Sequence, residues 1–134
     1  MGDEKQDDLP ALSETQLEIM QAVWARGEVT VTDIWTALAD RRQVARNTIL
    51  TLMERLQKKG WLKRRVSGPT HFYAAAVPRG RTLGRVVHRL VEAAFAGSAE
   101  AMILALLEGR GVTDAEAKRI RKLIDDAQRK RKKP

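Results

Sequence analysis

Residues 46–60 read Arg46-Asn47-Thr48-Ile49-Leu50-Thr51-Leu52-Met53-Glu54-Arg55-Leu56-Gln57-Lys58-Lys59-Gly60, and the reading of this stretch decides the fold. Ile49, Leu52, Met53 and Leu56 recur at the spacing that lines up one face of an α-helix. The pattern predicts a helix from about Ala45 to Lys59, with Gly60 ending it. Arg46, Asn47, Leu50, Thr51, Arg55 and Lys58 fall on other faces, where the spacing gives them no packing role. A helix that buries an aliphatic stripe and displays Arg, Asn and Thr matches the needs of a helix laid in the major groove of duplex DNA.

Upstream, Ser13 and Gln16 have capping-box spacing, flanked by Leu12 and Leu17 as a hydrophobic staple. They predict a first helix carrying Leu17, Met20, Val23 and Trp24 and ended by Gly27. Val29-Thr30-Val31 is β-branched and reads as a short strand. Thr30 or Thr32 then caps a second helix through about Ala39, burying Ile34 and Leu38. Downstream, Leu62–Val66 and Thr70–Ala74 flank Ser67-Gly68-Pro69 and read as a β-hairpin. Helix, short strand, helix, helix, hairpin is the winged helix-turn-helix order.

Beyond Pro78 the pattern turns wholly helical. Leu83, Val86, Val87, Leu90 and Val91 form one stripe, Met102, Ile103, Leu106 and Leu107 a second, and Ile120, Leu123 and Ile124 a third. These stripes are larger than three short helices can bury alone, which predicts that they pair two chains. The expected class is mainly α with a small β-hairpin. The expected organisation is a disordered acidic N-terminus at 1–11, a winged-helix domain at 12–78, a helical dimerisation domain at 79–128 and a basic tail at 129–134.

Charge distribution narrows the partner. The 134-residue chain carries a net +8. Between residues 41 and 89, however, thirteen Lys or Arg face a single acid, Glu54, a local +12, whereas the rest of the chain sums to −4. Concentrated positive charge favours a polyanion. On these grounds Arg41, Arg42, Arg46, Asn47, Thr48, Leu50, Thr51, Arg55, Lys58, Arg64, Arg65 and His71 are the candidate DNA-binding residues. Arg46 suits guanine or a phosphate, Asn47 suits adenine, and the hairpin arginines point to opposite faces. Leu50 reads as an exposed leucine able to meet a thymine methyl.

Other chemistries find little support. There is no cysteine, which excludes disulfides, thiolate catalysis and Cys-based metal sites. His71 and His88 sit in separate segments outside any metal pattern, and Gly80-Arg81-Thr82-Leu83-Gly84 lacks the Gly-Lys-Ser/Thr of a phosphate loop. The expectation is no catalytic residue, no cofactor and no metal. With no apolar run of membrane-spanning length and no secretory pattern at the acidic start, a cytoplasmic protein without direct membrane binding is expected. Two other readings stay open: a ligand-sensing winged-helix regulator, and a winged-helix protein- or RNA-interaction module.

Three blocks carry a family resemblance: Leu12 to Trp24 (Leu-Ser-Glu-Thr-Gln-Leu-Glu-Ile-Met-Gln-Ala-Val-Trp), Asn47 to Leu62, and Glu100 to Glu108 (Glu-Ala-Met-Ile-Leu-Ala-Leu-Leu-Glu). Through them the chain, from about Leu12 to Asp126, resembles the BlaI/MecI/CopY penicillinase-repressor family of winged-helix regulators. The resemblance implies a homodimer that binds a palindromic operator. It matches Thr48, Thr51 and Arg55 to the family's recognition-helix pattern, while Asn47 and Leu50 stand where other members carry different polar residues. It further implies derepression through a membrane sensor protease pathway, with Ala105-Leu106 as the candidate regulatory cleavage position in place of the family's Asn-Phe. The copper-sensing branch relies on C-terminal cysteines, which this chain lacks.

Overall fold

The computed structural model describes residues 9–132, among which lie six helices and one hairpin. In order they are α1 (Glu14–Arg26), α2 (Val31–Leu38), α3 (Arg46–Lys58), β1 (Leu62–Ser67), β2 (Thr70–Ala75), α4 (Arg79–Ala94), α5 (Ala99–Gly109) and α6 (Asp114–Lys132). The N-terminus expected to be disordered lies outside the described residues as far as residue 8. Contacts divide the chain into two compact units, one through Arg85 and one from Val86, so the change falls inside α4.

In the first unit, local chemistry sets most of the helix starts. The Ser13 hydroxyl accepts from Gln16 N (3.2 Å), and Gln16 Oε1 accepts from Ser13 N (3.0 Å), completing the expected box before α1. Thr30 and Asp33 make the same reciprocal pair at α2. Thr30 is therefore the cap, and Val31 is already helical instead of continuing the strand. Only Val29 of the expected strand pairs, through two bonds with Tyr73 of 2.8 and 2.7 Å, because the cap turns the chain immediately afterwards.

The core is aliphatic, as the scarcity of aromatics requires. Ile19, Met20 and Val23 of α1, Ile34 of α2, and Ile49, Met53 and Leu56 of α3 are all fully buried. Trp61, Leu62, Tyr73 and Val77 close it from the hairpin side. Leu9 also packs on it, with its Cδ2 3.1 Å from where a Cβ on Gly60 would stand. Gly60 has φ +95, a backbone conformation that favours glycine there. β1 and β2 pair antiparallel from Leu62↔Ala75 to Ser67↔Thr70, joined by Gly68-Pro69, with Gly68 at φ +59 as a tight hairpin turn needs.

In the second unit, Ser98 caps α5 by accepting from Ala101 N (3.0 Å), and Thr113 accepts from Glu116 N (3.1 Å) at α6. No residue of α5 or α6 is buried. Val86, Val87, Leu90, Ile103, Leu106, Leu107, Leu123 and Ile124 are exposed, whereas Val91, Met102 and Ile120 are half-buried, as is Leu83 in the first unit. Helix α6 continues to Lys132, so residues 129–132 of the expected tail are helical; residues 133–134 lie outside the described range. Among the described residues no single helix is long and apolar enough to cross a membrane.

Candidate nucleic-acid interface

Helix α3 presents the site. At about 100° per residue, Asn47, Thr51, Arg55 and Lys58 fall within an arc of about 80°, opposite Ile49, Met53 and Leu56. The burial agrees: those four polar residues and Thr48 are exposed while the three apolar ones are fully buried. The Thr51 hydroxyl donates to Asn47 O (3.0 Å), and while that bond holds it offers only an acceptor outward. Helix α3 starts after Ala45, which supplies no side-chain cap.

Side-chain bonds from two residues, Trp35 and Arg42, fix where this helix begins. The Trp35 indole of α2 donates to Val44 O (2.9 Å), anchoring the segment that enters α3. On the turn between α2 and α3, the Arg42 guanidinium grips Glu18 of α1 through Nε (2.7 Å) and a terminal nitrogen (3.2 Å), and reaches Glu14 at 3.3 Å. This hydrogen bond holds the Glu18 carboxyl below its ordinary pKa, against the opposing effect of desolvation, and raises that of Arg42. Arg42 is thus engaged with α1, while its neighbour Arg41 is exposed.

The hairpin sorts its residues by face. Opposite partners in an antiparallel pair share a side, so Arg64 lies with Tyr73, and Val66 with His71, on the face whose Leu62 and Tyr73 are buried in the core. Arg65 and Phe72 share the other face, where the guanidinium stands 4.6 Å from the ring centroid. Arg65 is also paired bidentately with Glu28 (2.9 and 2.7 Å), which lowers the Glu28 pKa chiefly through that hydrogen bond. Both partners are half exposed, so the pair adds little stability and serves mainly to fix the hairpin against the segment before α2. Glu28, Glu18 and Trp35 were invisible as functional support in the sequence, because their partners lie between 9 and 37 residues away.

Between hairpin and helices is a cleft of about 340 Å³, lined among others by Thr32, Arg46, Leu50, Thr70, His71 and Tyr73. Leu50 is half-buried and packs against the core, not fully exposed as its place among polar residues suggested. It lies on the wall of the cleft, between the start of α2 and the hairpin. Arg46 Nε donates to Thr32 Oγ1 (2.9 Å). Among the described residues there is no group of three or more His, Asp or Glu able to hold a metal ion.

The family model described as Penicillinase repressor matches residues 12–126. The transcriptional regulator BlaI of Mycobacterium tuberculosis (strain ATCC 25618 / H37Rv) is 31% identical over 113 residues, covering 83% of this chain and 82% of that protein. The penicillinase repressor of Bacillus licheniformis is 21% identical over 124 residues, covering 92% of this chain and 97% of its own length. In fold, the chain is similar to wild type MarR from E. coli in its apo form, at a TM-score of 0.51 and 15% identity over 87% of this chain and 78% of the other. By the match over residues 12–126, the chain belongs to the penicillinase repressor family, a family of DNA-binding transcriptional repressors and not of enzymes.

Proposed function

We propose that this protein is a repressor that acts in the cytoplasm as a homodimer, laying α3 of each chain in the major groove of a palindromic operator with the hairpin as its wing. The observation that carries this is the division of α3 into a fully buried apolar face and an exposed arc of Asn47, Thr51, Arg55 and Lys58. Asn47 and Thr51 supply base-edge groups, while Arg55 and Lys58 supply phosphate contacts. Thr48, Arg41 and the core-side hairpin residues Arg64 and His71 extend the contact. Arg42 and Arg65, each gripped by a glutamate, hold the frame instead.

One half-site read by so few side chains binds weakly, and two joined copies read a palindrome. The exposed Val86, Val87, Leu90, Ile103, Leu106 and Leu107 are the surface through which the copies join, because so much clustered apolar area is costly to leave in water. Derepression would then follow from anything that parts the dimer. Cleavage between Ala105 and Leu106 by a protease downstream of a membrane sensor would do so, since both residues lie within α5, one of the helices that supply that surface. A protease needs that helical turn to open first.

The test is fluorescence anisotropy with the duplex upstream of the protein's own gene, beside a scrambled duplex, at two salt concentrations. Tight, salt-sensitive binding to the promoter alone, at two chains per site, is expected. Equal and weak binding to both duplexes would overturn the repressor reading for that promoter and favour an interaction module.

A further inference from the structure

Arg46 opens α3 yet stands apart from the arc just described. One residue step places it about 100° round the helix from Asn47, on the flank that faces the hairpin. Its Nε is committed to Thr32 Oγ1 at 2.9 Å, which draws the guanidinium toward α2 and into the cleft with Thr70 and His71. We propose that each copy uses this cleft as a seat for one backbone phosphate of the duplex. Arg46 grips that phosphate and reads no base, and Thr32 is the positioning residue that aims it. The proposal rests on the operator-binding reading above and deepens it.

The chemistry of the cleft sets it apart from the neighbouring arginines. Arg42 and Arg65 are each closed by a carboxylate that offsets their charge. The partner of Arg46 is a neutral hydroxyl, and no carboxylate lines the cleft. The guanidinium therefore keeps its full charge and two terminal nitrogens for an anion, the geometry in which arginine holds phosphate oxygens. Thr70 and His71 border the same cleft from the hairpin, and His71, on the core-side face of its strand, is a further donor for the remaining oxygens. A duplex whose groove receives the arc of α3 runs a strand along the flank between that helix and its wing, where this cleft opens.

A phosphate contact and a base contact differ in measurable ways. Anisotropy titrations of the full chain against the promoter duplex and a scrambled duplex, across a salt series, separate them. Arg46→Ala is expected to weaken binding to both duplexes by one common factor, on the order of tenfold per copy. It should also make log K against log salt shallower by about 0.9 per copy, hence about 1.8 for a dimer. Thr32→Val should shift both affinities in the same direction by less, with Thr32→Ser and Arg46→Lys recovering part of the loss. A loss confined to the promoter duplex, with an unchanged salt slope, would overturn the proposal by making Arg46 a base reader. Full promoter affinity in Thr32→Val would overturn the positioning role. If the wild type fails to prefer its promoter, the operator reading fails first, yet a common loss on both duplexes would still locate a phosphate in the cleft. A free phosphate ion filling the same seat would instead raise the thermal midpoint of the wild type, and not of Arg46→Ala, in millimolar inorganic phosphate without DNA; that result would overturn the assignment of the seat to the duplex.

Discussion

Ile49 offers a clean separation of the two faces of α3. It is fully buried among the aliphatic core residues, one turn from Met53, while its neighbours Thr48 and Thr51 are exposed. Ile49→Ala deletes three buried carbons, whose transfer alone is worth ~2.4 kcal/mol at ~0.8 kcal/mol each. The cavity left behind adds to this, and buried Ile→Ala changes cost about 2–5 kcal/mol in all. Ile49→Val removes a single carbon and should cost about 0.5–1.5 kcal/mol. Urea unfolding followed by tryptophan fluorescence suits the measurement, because Trp24, Trp35 and Trp61 all lie in the first unit and report on its core. Protein concentration must be held constant, since the proposed dimerisation would stabilise the folded chain by mass action. The expected result is a lower midpoint at unchanged slope, with DNA affinity under native conditions altered less than twofold. A cost below about 1 kcal/mol for Ile49→Ala, or a folded variant that loses DNA affinity as Thr51→Ala does, would refute the assignment of Ile49 to the core and of the opposite arc to DNA.

Three further outcomes are expected. Thr51→Ala should weaken promoter binding by about 1–3 kcal/mol and leave both the urea midpoint and the oligomeric state unchanged; comparing promoter and scrambled duplexes checks that the loss is specific. Leu90→Glu, which puts a charge on an exposed position of the α4 stripe, should shift the chain toward monomer in sedimentation and lower operator affinity, while the first unit keeps its fluorescence transition. Glu18→Gln should flatten the acid side of the stability profile. The Glu18 carboxyl titrates below its ordinary value because Arg42 donates to it, so its contribution is present above the unfolded pKa and is lost as pH falls through the folded one. Urea midpoints of wild type and Glu18→Gln should therefore differ at neutral pH and converge in acid; a constant gap would show that the pair is not titrating.

What the sequence disclosed and what it hid follow from the range of the interactions. The Ser13–Gln16 box, the Gly27 and Gly60 stops, the buried stripe of α3 and the Gly68-Pro69 turn depend on neighbours within a few residues, and each stands where the spacing placed it. Thr30 and Thr32 were equivalent as caps until Asp33 settled the matter by returning a bond to Thr30 N. The candidate site was legible as a list of polar residues on α3, but not as a geometry. Arg42, Arg46 and Arg65 look alike in the sequence; Glu18, Thr32 and Glu28, at separations of 14 to 37 residues, give them different surroundings. The half-burial of Leu50 is hidden for the same reason, since the residues that share its cleft come from α2 and from the hairpin, far from it in the chain.

The hairpin also sets how this protein can tolerate changes in length. Its two strands are pinned at their base, β1 by the buried Leu62 and β2 by the paired bonds between Tyr73 and Val29, so insertions have room only toward the tip. Side chains alternate between the two faces with each residue. Adding one residue to each strand would swing the turn to the opposite face and carry His71 away from α3 with it. Adding two to each strand would restore the original facing on a longer arm. Among natural or engineered variants that still act on the same sites, the wing should therefore grow or shrink in steps of whole pleats, and single-pair changes should be rare.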